Sequence, residues 1–510
     1  MSLQFYMKKI YSVIGLCILS LIVATGCSKD FLNTEPKNSV KESVATATIS
    51  DLGYILNGVH NYFYNIRYEQ NYTGLYTYNI ANDMMGEDVI NSTTGNGWFI
   101  SESRWLGINN PNSKQVYYTY FYFYKIIQNI NSILNRYEEL GDKTDEGGAI
   151  KGEALAIRAF CYFQLVQRYG KRYVKGADNS QLGVPIRTEV RFDPKERATV
   201  EEVYKLINKD LDEAIKLLTK ADNKDVKRVS LLTTKGFKAR VALAQQDWST
   251  AAQQAKEVIA LAPKYDHRLQ SGKELLSGFN SIADNPEFIW AYKQTTDQNM
   301  YYGSFFAYMS WNNSSSNIRN NPKVINSALY KKMSATDIRR YWWDPKGNGD
   351  IAKGYGKRAK KFKVKPYNTF KFMAQASGNS SGDFVYMRLA EMYYLAAEAY
   401  ARDGKESEAK KMLADVMVKR DPNYQVSTKS GAALIEEIMI NRRIDLWGEG
   451  HRWTDLKRLG LPLDRTLAPN TRESVSRTMK VEPDDPRWQY AIPKEEIDAN
   501  KGLVKQNELK

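Results

Sequence analysis

Residues 233–263, TTKGFKARVALAQQDWSTAAQQAKEVIALAP, and 388–417, RLAEMYYLAAEAYARDGKESEAKKMLADVM, carry the same two-helix pattern. In the first, Ala239 and Ala251 stand twelve positions apart; in the second, so do Ala397 and Ala409. Val258 and Val416 follow at matching places. Small residues at this spacing sit where two helices cross, and the larger ones fill the groove beside them. Such a pair cannot bury both of its faces alone. Pairs must therefore stack, and the chain is committed to a layered helical array.

The rest of the chain extends that reading. Helical patterns run over Asp51–Arg67, Tyr117–Leu140, Lys151–Tyr169, Val200–Leu218 and Gly431–Leu459. Thr199 before Glu201 and Glu202 is an N-cap signal, and Gly170 is a stop signal. Apolar residues cover nearly the whole circumference of 151–169, which requires burial on several sides. Residues 28–50 are polar and read as extended, while 70–115, rich in Asn, Gly, Ser and Tyr, read as irregular loops. Residues 275–385 interrupt the helices with polar, aromatic-studded stretches, among them QNMYYGSFFAYMSWNNSSSNIRNNP and RRYWWDPKGNGD. Loops on a rigid scaffold carry binding sites, so function is expected there. The expected fold is mainly α: a tetratricopeptide-like helix-hairpin scaffold with a loop-rich ligand-binding subregion.

The N-terminus speaks to location. From Met7, the basic pair Lys8 and Lys9 precedes an apolar run, Ile10–Val23, then the small residues Ala24, Thr25 and Gly26, then Cys27. That run has the length of a signal-peptide core and is too short to span a bilayer. Cleavage before Cys27 matches a bacterial lipobox, with Ala24 standing where Leu is usual. Each buried methylene contributes about 0.8 kcal/mol, so a multiply acylated Cys27 would tether the body without a transmembrane helix. Cys161 is then left alone inside an apolar helical run and reads as a core residue, with no disulfide partner in the chain. His60, His267 and His451 are scattered and form no zinc-type spacing. No cofactor is expected, and a structural metal ion is left open.

The formal charge is +15, but Lys and Arg are spread out except near Lys353–Lys365. An exported protein with dispersed charge does not call for a nucleic-acid partner. The compositional excess is aromatic, with 34 Tyr and 10 Trp. Rings with a polar edge suit flat hydroxylated ligands such as sugars, and also protein interfaces.

Five segments, in order, carry a family resemblance: CSKDFLNTEP at the lipobox; EALAIRAFCYFQLVQRYG followed by GVPI; MRLAEMYYLAAEAYAR; NRRIDLWGEGHRWTDLKRLG; and AIPKEEIDANKGLVKQN. With these, the chain resembles the SusD/RagB family of outer-membrane nutrient-binding lipoproteins of Bacteroidetes. The resemblance spans Cys27 to Asn507. It implies a signal peptide at 1–26 and a single SusD-like domain at 27–510, with an N-terminal part to about 270 and a C-terminal part from about 271. It further implies a non-enzymatic, lipid-anchored, surface-exposed protein. Such a protein hands oligosaccharide, or in some members peptide, to a SusC-type TonB-dependent transporter. Other readings are a peptide-binding member of the same family, a protein-interaction adaptor, and a secreted glycoside hydrolase, which would need two carboxylates across a glycosidic bond.

Two loop sets are the candidate ligand surface. One holds Tyr72, Tyr76, Asn82, Asp83, Trp98, Arg104 and Trp105; the other holds Tyr301, Tyr302, Trp311, Asn312, Asn313, Trp342 and Trp343. In LWGEGHRWTDLKR, Gly448 and Gly450 suit a tight turn or close packing, and Glu449 suits an ion pair with an arginine. An acid–base reading of Glu449, His451 and Asp455 is conceivable chemistry, but the resemblance makes this stretch scaffold. Arg388 and Glu391 are expected to pair on one helical face.

Overall fold

The computed structural model describes residues 46–65, 67–191, 193–220, 224–295, 298, 300–351, 364–376 and 378–510. The expected signal peptide, Cys27 and most of the basic run at 353–365 lie outside the described residues. The chain divides into two compact units, Met1–Asp51 and Leu52–Lys510, and the second carries the fold.

Among the described residues the helices of eight or more residues are α1 (Ile49–Asn65), α2 (Tyr76–Met85), α3 (Lys114–Leu140), α4 (Asp145–Tyr169), α5 (Val200–Leu218), α6 (Leu231–Ala244), α7 (Trp248–Leu261), α8 (Leu389–Arg402), α9 (Glu406–Met417), α10 (Gly431–Asp445) and α11 (Arg452–Leu459). Side-chain caps start many of them. Ser113, Thr144, Ser230 and Asp247 each accept from a backbone N–H in the first turn of α3, α4, α6 and α7. Thr199 and Glu202 close a reciprocal capping box on α5. Each such cap stabilises its helix by about 1 kcal/mol.

From α3 to α8 each helix packs on the next, and α8 then takes both α9 and α10. The pairs α6–α7 and α8–α9 are the two repeats read from the sequence, and α7 lies directly against α8. Ala239, Ala251, Ala397, Ala409, Val258 and Val416 are all fully buried, as residues at helix crossings must be. Residues 262–388 are thus an excursion, after which the chain rejoins the stack.

Short strands organise that excursion and the segment before the stack: β1 (Arg67–Glu69), β2 (Tyr72–Thr73) and β3 (Val89–Asn91) precede the stack, and β4 (Phe288–Tyr292), β5 (Lys323–Ile325), β6 (Trp343–Asp344), β7 (Asn368–Thr369) and β8 (Phe384–Arg388) lie in the excursion. An antiparallel sheet runs in the order β3–β5–β7–β6, so a strand from the N-terminal half is paired into the insertion, with Ile90 opposite Val324. A second antiparallel pair joins β4 to β8. Trp290 of β4 packs edge-on to Phe63, Phe160 and Phe237. This aromatic knot seats the insertion on α1, α4 and α6.

Much of the tyrosine excess is structural. Burying a phenol without a partner is costly, and these hydroxyls find carbonyls: Tyr124 donates to Pro185 O at 2.6 Å, Tyr162 to Arg187 O at 2.7 Å and Tyr169 to Val116 O at 2.6 Å. Cys161 is fully buried in α4.

The motif IDLWGEGHRW is the polar keystone. Asp445 accepts from Arg388 at 2.6 Å, Arg420 at 2.8 Å and Arg339 at 3.3 Å, all inside the core. Glu449 pairs with Arg388 and Lys371, and Glu287 with Arg388 and Arg420. Burial alone would raise the Asp445 pKa, but the three guanidiniums outweigh it and hold the carboxylate well below its ordinary range.

Four expectations change. Arg388 does not pair with Glu391; Glu391 instead takes Arg240 at 2.6 Å, because Arg388 is the last residue of β8 and points into the Asp445 cluster. Within 70–115, α2 is a regular helix: Tyr76, Tyr78, Ile80, Met84 and Met85 are buried, and packing overrides a composition that reads as loop. The helical pattern of 431–459 breaks in two at Gly448–Gly450, where both glycines have φ above +80°. α4 begins at Asp145, six residues ahead of the expected start, because Thr144 caps it.

Candidate functional site

Tyr301 and Tyr302 form a helical turn with Gly303 and are 69% and 60% exposed. Tyr301 has a left-handed backbone (φ 48°), and so has Phe99 beside Trp98 (φ 58°). Non-glycine residues hold this conformation only where the surroundings enforce it. At Tyr301 the enforcement is visible. Gln70 Nε2 donates to Tyr302 O at 3.2 Å, Tyr76 OH to Gly303 O at 2.8 Å, and Ser380 Oγ to Tyr301 O.

The Trp98 loop is fastened from the other side. Asn96 Nδ2 donates to Ser316 Oγ at 2.7 Å, Asn320 Nδ2 to Asn96 Oδ1 at 3.0 Å, and Thr93 Oγ1 to Asn320 O. Phe99 meets Tyr308 edge-on at 5.0 Å, and the Tyr308 hydroxyl reaches Gln70 O at 3.1 Å. These contacts bring Gln70, the Trp98 loop, the Tyr301–Tyr302 turn and the Ser316–Asn320 turn to one rim. The rim segments 92–98, 301–304, 312–320, 374–376 and 378–381 contain no Asp or Glu, while Glu69 stands beside Gln70 and pairs with Lys114. Glu102 stands below, buried; burial raises its pKa, and it accepts from Tyr72 OH at 2.9 Å.

The remaining candidates serve other ends. Trp342 and Trp343 are fully buried and packed on each other, and Trp342 Nε1 donates to Leu275 O. Trp311 is buried against Phe370 and Trp105 against Trp488, so protein already covers their faces. Asn312 exchanges two hydrogen bonds with the backbone of Ala374, at 2.9 and 2.8 Å. Asn313 donates to Asn379 O at 2.6 Å. Asn82 holds Gly450 O and accepts from Arg168, while Asp83 accepts from Gly450 N. Arg104 donates to Val475 O and Ser474 O. These side chains shape and anchor loops. Of the expected sets, Trp98, Tyr301 and Tyr302 come to the rim. Gln70, Asn96 and Asn320 join them; in the sequence the two asparagines look like ordinary turn formers and Gln70 carries no signal.

His451 is half-buried among Glu391, Arg442, Arg240 and Asp455, and desolvation pulls its pKa down to about 4. It is a neutral imidazole with Arg442 Nη2 3.5 Å from Nδ1. Among the described residues no group of three or more His, Cys, Asp or Glu side chains is placed to hold a metal ion. None of the described helices is long and apolar enough to cross a membrane.

Two family models match the chain. One, for SusD-like proteins described as starch-binding and associating with the outer membrane, matches residues 30–243; the SusD family model matches residues 294–509. SusD-like protein P2 of Formosa agariphila is 24% identical over 391 residues, covering 69% of this chain and 72% of its own. A SusD-like carbohydrate binding protein from Bacteroides vulgatus superposes with a TM-score of 0.74 at 23% identity, over 89% of this chain and 97% of its own. Surface glycan-binding protein A from Bacteroides thetaiotaomicron, solved in complex with laminarihexaose, gives 0.68 at 18% identity over 90% and 99%. At these identities the structural likeness is one of fold.

Proposed function

The chain belongs to the SusD family, and from that premise we propose that it is a non-catalytic carbohydrate-binding lipoprotein of the outer-membrane surface. On this reading Cys27 bears the lipid, the rim of Trp98, Tyr301 and Tyr302 takes an oligosaccharide, and a SusC-type TonB-dependent transporter receives it. A single domain from residue 27 to 510 does the holding.

The observation that carries the reading is the pair of solvent-facing rings at Tyr301 and Tyr302, held by Gln70, with the amide-rich Trp98 loop fastened to the same insertion. Aromatic faces take the apolar face of a sugar, and amides pair with its hydroxyls. Every hydroxyl must give up water and be paired again, so affinity per sugar is low and a fixed array matters. Glu69, the carboxylate beside Gln70, is already paired with Lys114, and glycoside hydrolysis uses two carboxylates, which supports holding rather than cutting.

The test is calorimetric titration of the purified protein with a panel of oligosaccharides, followed by chromatography of the recovered glycan. One series is expected to bind and to return at unchanged chain length. Tyr301→Ala, Tyr302→Ala and Trp98→Ala are each expected to weaken binding roughly tenfold, about 1.4 kcal/mol. Shorter products, or full affinity in all three variants, would overturn the reading. Mass spectrometry of the N-terminal peptide and co-purification from the native host test the lipid on Cys27 and the barrel partner.

A further inference from the structure

A cleft of about 430 Å³ lies away from the rim, between α3 and the C-terminal segment Pro493–Asn500, with residues 187–191 closing its third side. Its floor is one stripe of α3. Tyr117, Phe121, Tyr124 and Gln128 follow at i, i+4, i+7 and i+11, the spacing of a single helix face. The opposite face of α3 is buried, so this stripe is an apolar surface left open, with Phe121 39% exposed.

The stripe does not end at the cleft. The Tyr117 and Phe121 rings are nearly parallel, with 10° between planes and 6.0 Å between centroids. The Tyr68 ring, itself 45% exposed, lies 5.7 Å from Tyr117. Tyr68 stands on β1, two residues before the Gln70 that holds Tyr302. A row of rings, Tyr68, Tyr117 and Phe121, therefore runs from β1 along α3 into the cleft, and Gln70 of the same segment as Tyr68 holds the Tyr301–Tyr302 turn.

The walls narrow the choice of occupant. Arg187 is engaged with Asn500 Oδ1 and Asp193 O, and Glu496 accepts from Tyr120 OH. At the mouth stand Lys125 and Glu495, together with Arg191 and Glu189, which pair with each other at 3.1 Å, so the charge is balanced. A lipid chain would strand those charges, and an anion gains nothing from a balanced mouth. A neutral sugar has an apolar ring face for the stripe and hydroxyls that both donate and accept.

We propose that this cleft is a second carbohydrate subsite, joined to the first by the Tyr68–Tyr117–Phe121 row, so that the protein grips a neutral polysaccharide along its length. The proposal rests on the carbohydrate-binding reading of the rim.

The test uses the full-length protein in detergent and neutral gluco-, xylo-, manno- and arabino-series glycans, each as hexasaccharide and as polymer. The polymer of the bound series is expected to bind at least tenfold more tightly than its hexasaccharide. Phe121→Ala and Glu495→Lys should abolish that advantage and leave the hexasaccharide Kd unchanged, and Phe121→Trp should restore it. Tyr301→Ala should weaken both ligands. Phe121 is partly exposed, and melting curves verify that its variants fold. An undiminished polymer advantage in Phe121→Ala and Glu495→Lys would overturn the second subsite while leaving the rim intact. So would a polymer that binds no better than the hexasaccharide, or a cleft that takes up a peptide instead. No binding by any series in the parent protein would overturn the reading of the rim, and the subsite with it.

Discussion

At the scale of single residues, the chemistry here is mostly that of burial. His451 has the neighbours of an acid–base catalyst, Glu391 and Asp455, yet its surroundings keep it neutral. Its folded pKa of about 4 lies below the ordinary 6.5. The unfolded chain therefore binds the extra proton first, and the stability tied to a neutral His451 is present above pH 6.5 and lost as pH falls toward 4. That difference amounts to about 3 kcal/mol. His451→Gln is expected to flatten this part of the stability profile between pH 6.5 and 4 relative to the parent, as read by urea unfolding. An unchanged slope would mean that the ring titrates in the folded state. The tryptophans teach the same lesson. Trp342-Trp343 sits in a polar, loop-like stretch that looks like a binding platform, but burial is a property of the third dimension and leaves no mark on such a dipeptide. Tyr301 and Tyr302 look no different in the sequence, yet they stand exposed on a turn whose first residue has a left-handed backbone.

At the scale of elements, the helix pairs were the most legible part, because their spacing is a packing constraint written directly in residue size. Ala239 with Ala251 and Ala397 with Ala409 mark the crossings that α6–α7 and α8–α9 make. α2 was not legible: Tyr76–Met85 is held by the residues around it rather than by helix propensity. The break between α10 and α11 was legible only as a pair of glycines. Gly450 needs φ +88°, and a methyl group there would lie 2.5 Å from Asn79 Cα. Gly450→Ala is expected to destabilise the protein by about 2 kcal/mol or more, combining backbone strain with a clash against the backbone of α2. Chemical denaturation measures it, and a loss under 0.5 kcal/mol, within the range of a neutral surface change, would show that the turn can relax.

At the scale of the whole molecule, the Asp445 cluster joins what the sequence separates. Arg388 closes β8, Glu287 precedes β4, Lys371 follows β7 and Arg420 follows α9, and all converge on the end of α10. Asp445→Asn leaves three buried guanidiniums short of a counter-charge. It is expected to lower stability by about 3–5 kcal/mol, with hydrogen exchange rising first in the 262–388 excursion. Uniform exchange throughout would mean that stack and excursion unfold as one. The rim has the same long-range character: Gln70 and Asn96 come from before the stack, Tyr302 and Asn320 from the excursion within it. No fragment cut from either half would carry the rim. If the rim holds glycan as proposed, a protease nick or an arrested nascent chain would leave a molecule with no partial affinity, and capture of a glycan would double as a certificate that the polypeptide has finished folding.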